Sequence, residues 1–423
     1  CFYENRSEMR IKMADIRPFQ AYRPAEGLEA KIAALPYDVY NRAEAKAVVK
    51  ANPMSFLGID RAETWFEDTV DTYAPEVYEK AKELLQEEIA KGYFVQDEQE
   101  CYYLYQQIMD GRSQTGIVAC ASIEDYQNQV IKKHENTRAD KEADRIRHIE
   151  TCNMQTGPIF LAYPASAELH SITRTVMEKP PVYDFVSEDG ICHKVWVINA
   201  KEQIEKIRTA FAGQQSIYIA DGHHRCASAV KVGQKKIQEN PQAPKDAPFR
   251  YFLAVLFPED ELKILDYNRV VKDLNGWRKE EFLEKAAEKF TVEKAPSSPY
   301  HPERKGTFGM YLDGEWYRLT AKPSILSSDP VKGLDVSLLQ DYLLAPILGI
   351  ADPKTDQRID FVGGIRGLEE LERRVHTDSK VAFSMYPTSI RELFAVADAG
   401  RLMPPKSTWF EPKLRSGLFL HGI

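Results

Sequence analysis

Residues 216–236 read SIYIADGHHRCASAVKVGQKK, and this stretch decides how the middle of the chain folds. The apolar run that opens it predicts a short buried strand. Asp221-Gly222 predicts a tight turn, and small and helix-forming residues follow at once. Two histidines and Arg225 therefore stand at the start of a predicted helix, directly behind the strand.

The residues of this turn are suited to binding a phosphoryl group. A helix start offers unpaired N–H groups, and Gly222 permits close approach of the backbone. Arg225 can hold phosphate with two parallel hydrogen bonds, and His223 and His224 can donate hydrogen bonds or move a proton. Asp221 can cap the helix, orient an imidazole or act as a base. The alternative is a capping aspartate followed by exposed polar residues.

A zinc site at the two histidines is disfavoured. Adjacent side chains point in different directions, and no HExxH or comparable spacing supplies further ligands.

A second polar segment, KKHENTRADKEADRIRH, covers residues 132–148. Lys141 and Arg145 are four residues apart, so they share one face if the segment is helical. His134 and Glu135 precede them. The segment is typical of a solvated helix with ion pairs, and equally of a helix beside a polyanionic substrate.

Two further places carry candidate residues. In the tail, PPKSTWFEPK (residues 404–413), Lys406, Ser407 and Thr408 can bind phosphate, although the absence of GxxxxGK excludes a Walker loop. The alternative is a C-terminal strand with ordinary turn residues. In LPYDVY (residues 35–40), Asp38 is either part of a turn or a catalytic carboxylate.

Helices and strands alternate along the rest of the chain. The pattern predicts helices over 75–92 and 201–213, and hairpins over 101–126, 183–199, 249–271 and 306–321. This mixture favours an α+β (mixed α/β) fold over a purely doubly wound sheet. We divide the chain into segments 13–100, 101–275 and 276–423.

Composition narrows the function. The chain has 56 Lys+Arg and 64 Asp+Glu, and a net charge of −8 argues against a general nucleic-acid binder. The sequence contains no run of about 18 apolar residues, so it predicts no membrane span. The six cysteines contain no CxxC pair, which favours reduced thiols and a cytoplasmic location. Met13 is the expected natural start, with upstream sequence before it.

Seven segments, in order, resemble the domain-of-unknown-function (DUF) family 1015. They are IRPFQAYRP, LPYDVY, NPMSFLGIDRAE, KKHENT with a later Asp144-Arg145, GPIFLAYP, IADGHHR and MPPKSTWFEPKL. In that family an aromatic residue often follows the HHR arginine, where this chain has Cys226. The DGHHR element is also similar to one in the ParB/sulfiredoxin-like superfamily, where it binds nucleotide phosphate and where free-serine kinases carry a comparable motif.

These resemblances imply a ParB/sulfiredoxin-like core with additional hairpin-rich and helical segments. They imply a nucleotide-dependent phosphotransferase of a small hydroxyl metabolite, first of all free L-serine, with ATP or ADP as donor and Mg²⁺ accompanying the nucleotide; no metal site of the protein's own is expected. The expected catalytic residues are Asp221, His223 and His224. The expected phosphate-binding residues are Gly222, Arg225, Lys141, Arg145, Lys406, Ser407 and Thr408, with His134, Glu135 and Asp38 as further candidates.

Two alternatives remain open. One is a phosphatase of a small phosphorylated metabolite such as phosphoserine, because the same cations would serve it. The other is a ParB-like nucleotide-binding regulatory module, against which the acidic charge and the missing basic helix–turn–helix argue.

Overall fold

Strands rich in Val, Ile, Tyr and Phe form one large sheet in each of two units, and short strands form three further two-stranded sheets. A computed structural model describes residues 13–423; the expected upstream sequence, residues 1–12, lies outside them. The first unit comprises residues 13–132, 136–262 and 412–423, and the second comprises 133–135 and 263–411. These units do not coincide with the three segments drawn from the sequence, whose division into domains stays a prediction.

The first unit contains a mixed nine-stranded sheet and nine helices. Its strands up to residue 262 are β1 (Ile16–Arg17), β2 (Tyr22–Pro24), β3 (Phe94–Gln96), β4 (Tyr102–Met109), β5 (Arg112–Ser122), β6 (Ile131–Lys132), β7 (Met154–Gln155), β8 (Ile159–Tyr163), β9 (Tyr183–Val186), β10 (Cys192–Ile198), β11 (Ile217–Asp221) and β12 (Tyr251–Pro258). Its helices are α1 (Glu29–Ile32), α2 (Arg42–Ala51), α3 (Leu57–Asp60), α4 (Pro75–Ala90), α5 (Ile123–Gln127), α6 (Ala139–Cys152), α7 (Ala167–Met177), α8 (Lys201–Ala212) and α9 (His223–Glu239).

The strand order of the large sheet is β6-β11-β8-β12-β5-β4-β10-β9, with β1 pairing β5. The pairs β6–β11 and β8–β12 are parallel and the others antiparallel. The predicted hairpin over 101–126 is β4–β5, and its turn residues Asp110 and Gly111 both have positive φ, as a type I′ turn requires. The turn at Asp221-Gly222 follows β11, which lies beside the edge strand β6 of this sheet.

Helices of the first unit bury apolar faces against the sheet and against one another. Pro75 opens α4, where its missing N–H costs nothing, and Asn41 and Glu44 form a capping box on α2. The helix α6 packs on α9 and on α4. These contacts place α6, which carries Lys141, Arg145 and Arg147, beside α9, which begins with His223, His224 and Arg225.

The second unit contains an antiparallel six-stranded sheet in the order β15-β17-β16-β19-β14-β18. Its strands are β13 (Ile264–Leu265), β14 (Tyr267–Val271), β15 (Phe290–Lys294), β16 (Thr307–Leu312), β17 (Glu315–Ala321), β18 (Ile359–Gly363), β19 (Val381–Met385) and β20 (Trp409–Phe410). Its helices are α10 (Lys279–Lys289), α11 (Asp335–Leu339), α12 (Glu369–Thr377) and α13 (Ile390–Asp398), and a π-helical turn, Gln340–Leu344, continues α11. Thus helices and strands are mixed in both units, which confirms the α+β class.

The predicted hairpin over 249–271 is wrong. Both edges of β12 are already paired, by β5 and β8, so no edge is left for the strand that follows. Instead β14 pairs β18 and β19 in the other sheet. The apolar run of β12 is typical of a strand buried on both faces, and its continuation cannot be distinguished from a hairpin by sequence pattern alone.

The last twelve residues return to the first unit. Strand β21 (His421–Gly422) pairs β7, and Leu418, Phe419 and Leu420 are completely buried. No helix among residues 13–423 is both long and apolar enough to cross a lipid bilayer.

Candidate functional site

The turn between β11 and α9 has the predicted conformation. Gly222 has φ +89°, in the left-handed region where glycine is favoured. A Cβ atom at this position would lie 2.9 Å from Nη2 of Arg225. Glycine is therefore required here both by the backbone and by the guanidinium that packs against it.

The side chain of Arg225 folds back over this turn. Its Nη1 donates a 2.6 Å hydrogen bond to the carbonyl of Pro158, and its Nη2 lies 3.8 Å from Oδ2 of Asp221. Only 12% of the side chain is exposed. The guanidinium is thus fixed beside the start of α9. That Arg225 binds phosphate stays a prediction.

Lys413 is a second cation at the turn, and the sequence analysis missed it. Its Nζ lies 3.5 Å from Oδ2 of Asp221, and its backbone carbonyl accepts a hydrogen bond from Nε2 of Gln107. Two residues later, the buried Arg415 pairs with Asp189. The segment after the KST motif, rather than the motif itself, therefore supplies the cation that contacts Asp221. Its neighbour Pro412 and the closeness of Arg415 were the available sequence signal.

Asp221 is held ionised by its neighbours. Burial raises its pKa, but Lys413, Arg225 and His223 together outweigh burial and hold the pKa well below its usual range. A carboxylate with a strongly lowered pKa is a weak base. This environment favours an orienting role for Asp221 over the role of general base.

The two histidines have different surroundings. His223 is buried, whereas Nε2 of His224 accepts a 3.0 Å hydrogen bond from the backbone N–H of Arg138. Burial lowers the pKa of His224, while Asp38 and Glu142 act in the opposite direction. Neutral His224 therefore keeps its proton on Nδ1 and holds the residues that lead into α6.

Lys141 and Arg145 lie on α6, as predicted, and line a cavity of about 260 Å³ in the first unit. Nε of Arg145 donates to Oδ2 of Asp144, and the guanidinium lies 4.1 Å from the ring centroid of Tyr37. Nζ of Lys141 donates to the hydroxyl of Tyr73. The exposed Asp38 lines the same cavity.

This cavity adjoins a smaller one that reaches Arg225, beside the turn at Asp221-Gly222. Both are lined by Tyr37, Asp60, Arg145 and His148, and the smaller one is also lined by Arg225. The structure therefore connects Asp38, Lys141 and Arg145 with the DGHHR element inside a single unit.

The remaining predicted residues belong to the second unit. The carbonyl of Lys406 accepts from Nη2 of Arg269, and Ser407 Oγ donates to the carbonyl of Pro404. Thr408 lies next to them, just before β20, and the carbonyl of the buried His134 accepts the N–H of Met403. Glu135 is exposed. That Lys406, Ser407, Thr408, His134 and Glu135 join the Asp221 turn stays a prediction.

The residues present suit Mg²⁺ only in company with a nucleotide. Within residues 13–423 no group of three or more His, Cys, Asp or Glu side chains is arranged to hold a metal ion. Magnesium bound to a nucleotide commonly needs only one or two carboxylates besides the phosphates and water, and Asp221 offers one ionised carboxylate. When bound, the ion would neutralise charge on the phosphates.

Comparison with solved structures finds distant similarities. A free serine kinase in complex with AMP is 15% identical, with a TM-score of 0.33, over 70% of this chain and 86% of that one. SbnI from Staphylococcus aureus, with a C-terminal truncation, is 12% identical, with a TM-score of 0.36, over 70% and 82%. A conserved hypothetical protein from Pyrococcus furiosus is 12% identical, with a TM-score of 0.33, over 71% and 93%. Scores this low carry no argument about function.

Sequence comparison identifies the family to which the chain belongs but not its activity. No curated protein matches the chain. The family model described as "Protein of unknown function (DUF1015)" matches residues 16–337, which is most of the chain and includes β11, the Gly222 turn and α6. The chain belongs to the DUF1015 family.

Proposed function

We propose that this protein is a nucleotide-dependent phosphotransferase that acts on a small hydroxyl metabolite, with free L-serine the first acceptor to test and ATP or ADP the first donors. The observation that carries the proposal is the pair of cations, Arg225 and Lys413, fixed around an ionised Asp221 at the Gly222 turn. The choice of serine comes from the resemblance of DGHHR to the motif of free-serine kinases.

The physical case is electrostatic. The helix α9 has 17 residues, so its N-terminus carries a substantial partial positive charge and unpaired N–H groups. Arg225 and Lys413 add two positive charges against the single negative charge of Asp221, and the remaining positive charge favours a phosphoryl group at the turn. Phosphoryl transfer depends mainly on positioning and on stabilising charge that develops on the transferred group, and these residues can do both.

The proposed reaction is a direct transfer. The hydroxyl oxygen of the acceptor attacks the terminal phosphorus of the nucleotide, the bond from that phosphorus to the bridging oxygen breaks, and the shortened nucleotide leaves. The products are a phosphomonoester and the nucleotide with one phosphate fewer. Asp38 and Glu135 stay the two candidates for the base that takes the hydroxyl proton, while Asp221 orients Arg225 and Lys413.

The test is an assay of purified protein with L-serine, Mg²⁺ and either ATP or ADP, with phosphoserine measured by mass spectrometry. We expect Arg225→Ala to lower kcat/KM at least 100-fold, because it removes a fixed guanidinium from the transferred group. Arg208→Ala, which removes an exposed arginine from α8, is the control and should leave the rate unchanged.

Two outcomes would redirect the proposal. Release of phosphate from phosphoserine without any nucleotide would identify a phosphatase instead. Tight, sequence-specific DNA binding at physiological salt, without phosphotransfer, would favour the nucleotide-binding regulatory module.

A further inference from the structure

The cavity beside α6 is lined by the buried guanidinium of Arg145, and one of its terminal nitrogens has no hydrogen-bond partner among the described residues. Arg145 has 9% of its side chain exposed, and it donates from Nε to Asp144 and from Nη2 to the carbonyl of Asp60. Its Nη1 donates to no residue within 13–423. Nη1 is not among the polar atoms that are sealed from solvent without a partner, so it is open to the cavity, where it can donate to an anionic ligand group.

The same cavity is lined by the buried carboxylate of Asp60, and one of its oxygens accepts no hydrogen bond from the described residues. Asp60 is 4% exposed, and its Oδ1 accepts a hydrogen bond from Oγ1 of Thr156. Its Oδ2 has no hydrogen-bond donor and no cation within 4.0 Å in the described part of the chain. This oxygen therefore points to a cationic ligand group in the same cavity.

The other charges of the wall largely neutralise one another. Arg61 and Glu63 form an ion pair of 2.5 Å, and burial and Arg145 together lower the pKa of His148, which keeps it neutral. Lys141 adds a positive charge one helical turn from Arg145, and the exposed Asp38 adds a negative one. Arg145 and Asp60 also attract each other, so the groups open to a ligand in this small space are of both signs.

The volume of that space limits the ligand. About 260 Å³ is below the roughly 300–1,000 Å³ typical of sites for drug-sized ligands. A small metabolite therefore fits better than a whole nucleotide.

We propose that this cavity is a subsite for a small zwitterionic α-amino acid, whose carboxylate binds Arg145 and Lys141 and whose ammonium group binds Asp60. The proposal rests on the proposed function only in making that amino acid the phosphoryl acceptor. Its side-chain hydroxyl would face the adjoining small cavity, which is lined by Arg225.

The test is calorimetric titration of the full chain, with and without ADP, using three probes. L-serine carries both charged groups, L-glycerate lacks the ammonium, and ethanolamine lacks the carboxylate. We expect L-serine to bind and each of the other two to bind at least roughly 10-fold more weakly, since each loses a charge-assisted contact.

Single substitutions test whether L-serine binds in this cavity. Lys141→Gln and Asp60→Asn should each weaken L-serine binding roughly 10- to 100-fold. Arg147→Gln removes an exposed positive charge from the same helix, away from the cavity, and should leave it unchanged. Because Asp60 is buried, Lys141→Gln remains decisive if Asp60→Asn unfolds.

The outcomes separate this inference from the proposed function. Absence of saturable L-serine binding in both titrations, equal affinity for L-glycerate or ethanolamine, or unchanged affinity in Lys141→Gln would overturn the subsite. Specific binding of L-serine without any phosphotransfer would support the subsite and refute the kinase. Phosphotransfer to L-serine with an unaltered KM in Lys141→Gln would support the kinase and refute the subsite.

Discussion

At the scale of single residues, the Asp221 turn combines a local DGHHR motif with a cation, Lys413, from a distant part of the chain. Asp221, Gly222 and Arg225 were identifiable because a turn signal separates an apolar run from a helix. The pKa of Asp221 could not be foreseen, because it depends on Lys413, which lies 192 positions away along the chain. Asp60 lies in NPMSFLGIDRAE, but that segment carried only the family resemblance and no recognisable chemistry, so Asp60 was not selected as a site residue.

Lys413 gives the prediction at this scale. Lys413→Ala should weaken ADP binding roughly 10- to 100-fold, because a charge-assisted contact contributes about 1.5–3 kcal/mol. Lys413→Arg should keep most of the affinity, and Lys201→Ala, an exposed lysine of α8, all of it. Isothermal titration measures each; unchanged affinity in Lys413→Ala would separate Lys413 from phosphate binding.

At the scale of elements, local patterns predicted the hairpins that close through Asp-Gly turns. Both β4–β5 and β16–β17 turn through an Asp-Gly pair with positive φ at both residues. The pairing of β14 could not be predicted in this way, because partners in different parts of the chain are chosen by the edges that other strands leave open. The β11–turn–α9 element was predictable because all of its signals are local.

The glycine of that element gives a matched experiment. Gly222→Ala and Gly190→Ala both place alanine at positive φ (+89° and +79°), at a cost of about 1–2 kcal/mol each. Only at Gly222 does the added Cβ meet Arg225; at Gly190 nothing lies within 4 Å. Denaturation should show similar losses of stability, whereas phosphoserine formation should fall only in Gly222→Ala. Equal activity in the two variants would contradict the requirement for close packing at the turn.

At the scale of the whole molecule, composition predicted an ordinary mixed fold but not its division into two units. Sequence pattern could not reveal that residues 412–423 complete the first unit, because the interactions that bring them back are buried contacts without a local signature. Among these is a polar network around His193, which bonds to Tyr105 and Ser187 and lies within 3.4 Å of Arg415.

Buried histidines make the stability of the first unit sensitive to acid. Burial, reinforced by Arg415, lowers the pKa of His193 to about 3, and burial lowers that of His421 to about 4. In the unfolded chain both titrate near 6.5, so below that pH the unfolded state binds more protons and stability falls as pH decreases. Each histidine should remove about 1.4 kcal/mol per pH unit between about 6.5 and its folded pKa.

Urea denaturation at pH 6.5 and 5.5 tests this sensitivity. The raised pKa of Glu88, about 7, acts in the opposite direction over this range, so the test is the difference between two proteins. The fall in the free energy of unfolding should be about 1 kcal/mol smaller in His193→Gln than in the unsubstituted protein, whatever the absolute stability of the variant. An identical drop in the variant would mean that His193 is not kept neutral by the fold.

The return of the chain to its first unit also has a consequence for biosynthesis. During translation, strands β1 to β12 leave the ribosome long before residues 412–423, and the whole second unit is made in between. Until then the surfaces that later cover Leu418, Phe419 and Leu420 have no partner from the tail, and Lys413 does not yet exist. Completion of the nascent first unit therefore waits until residues 263–411 have been made, and a product that terminates before residue 412 would lack both the buried Leu418, Phe419 and Leu420 and the cation Lys413.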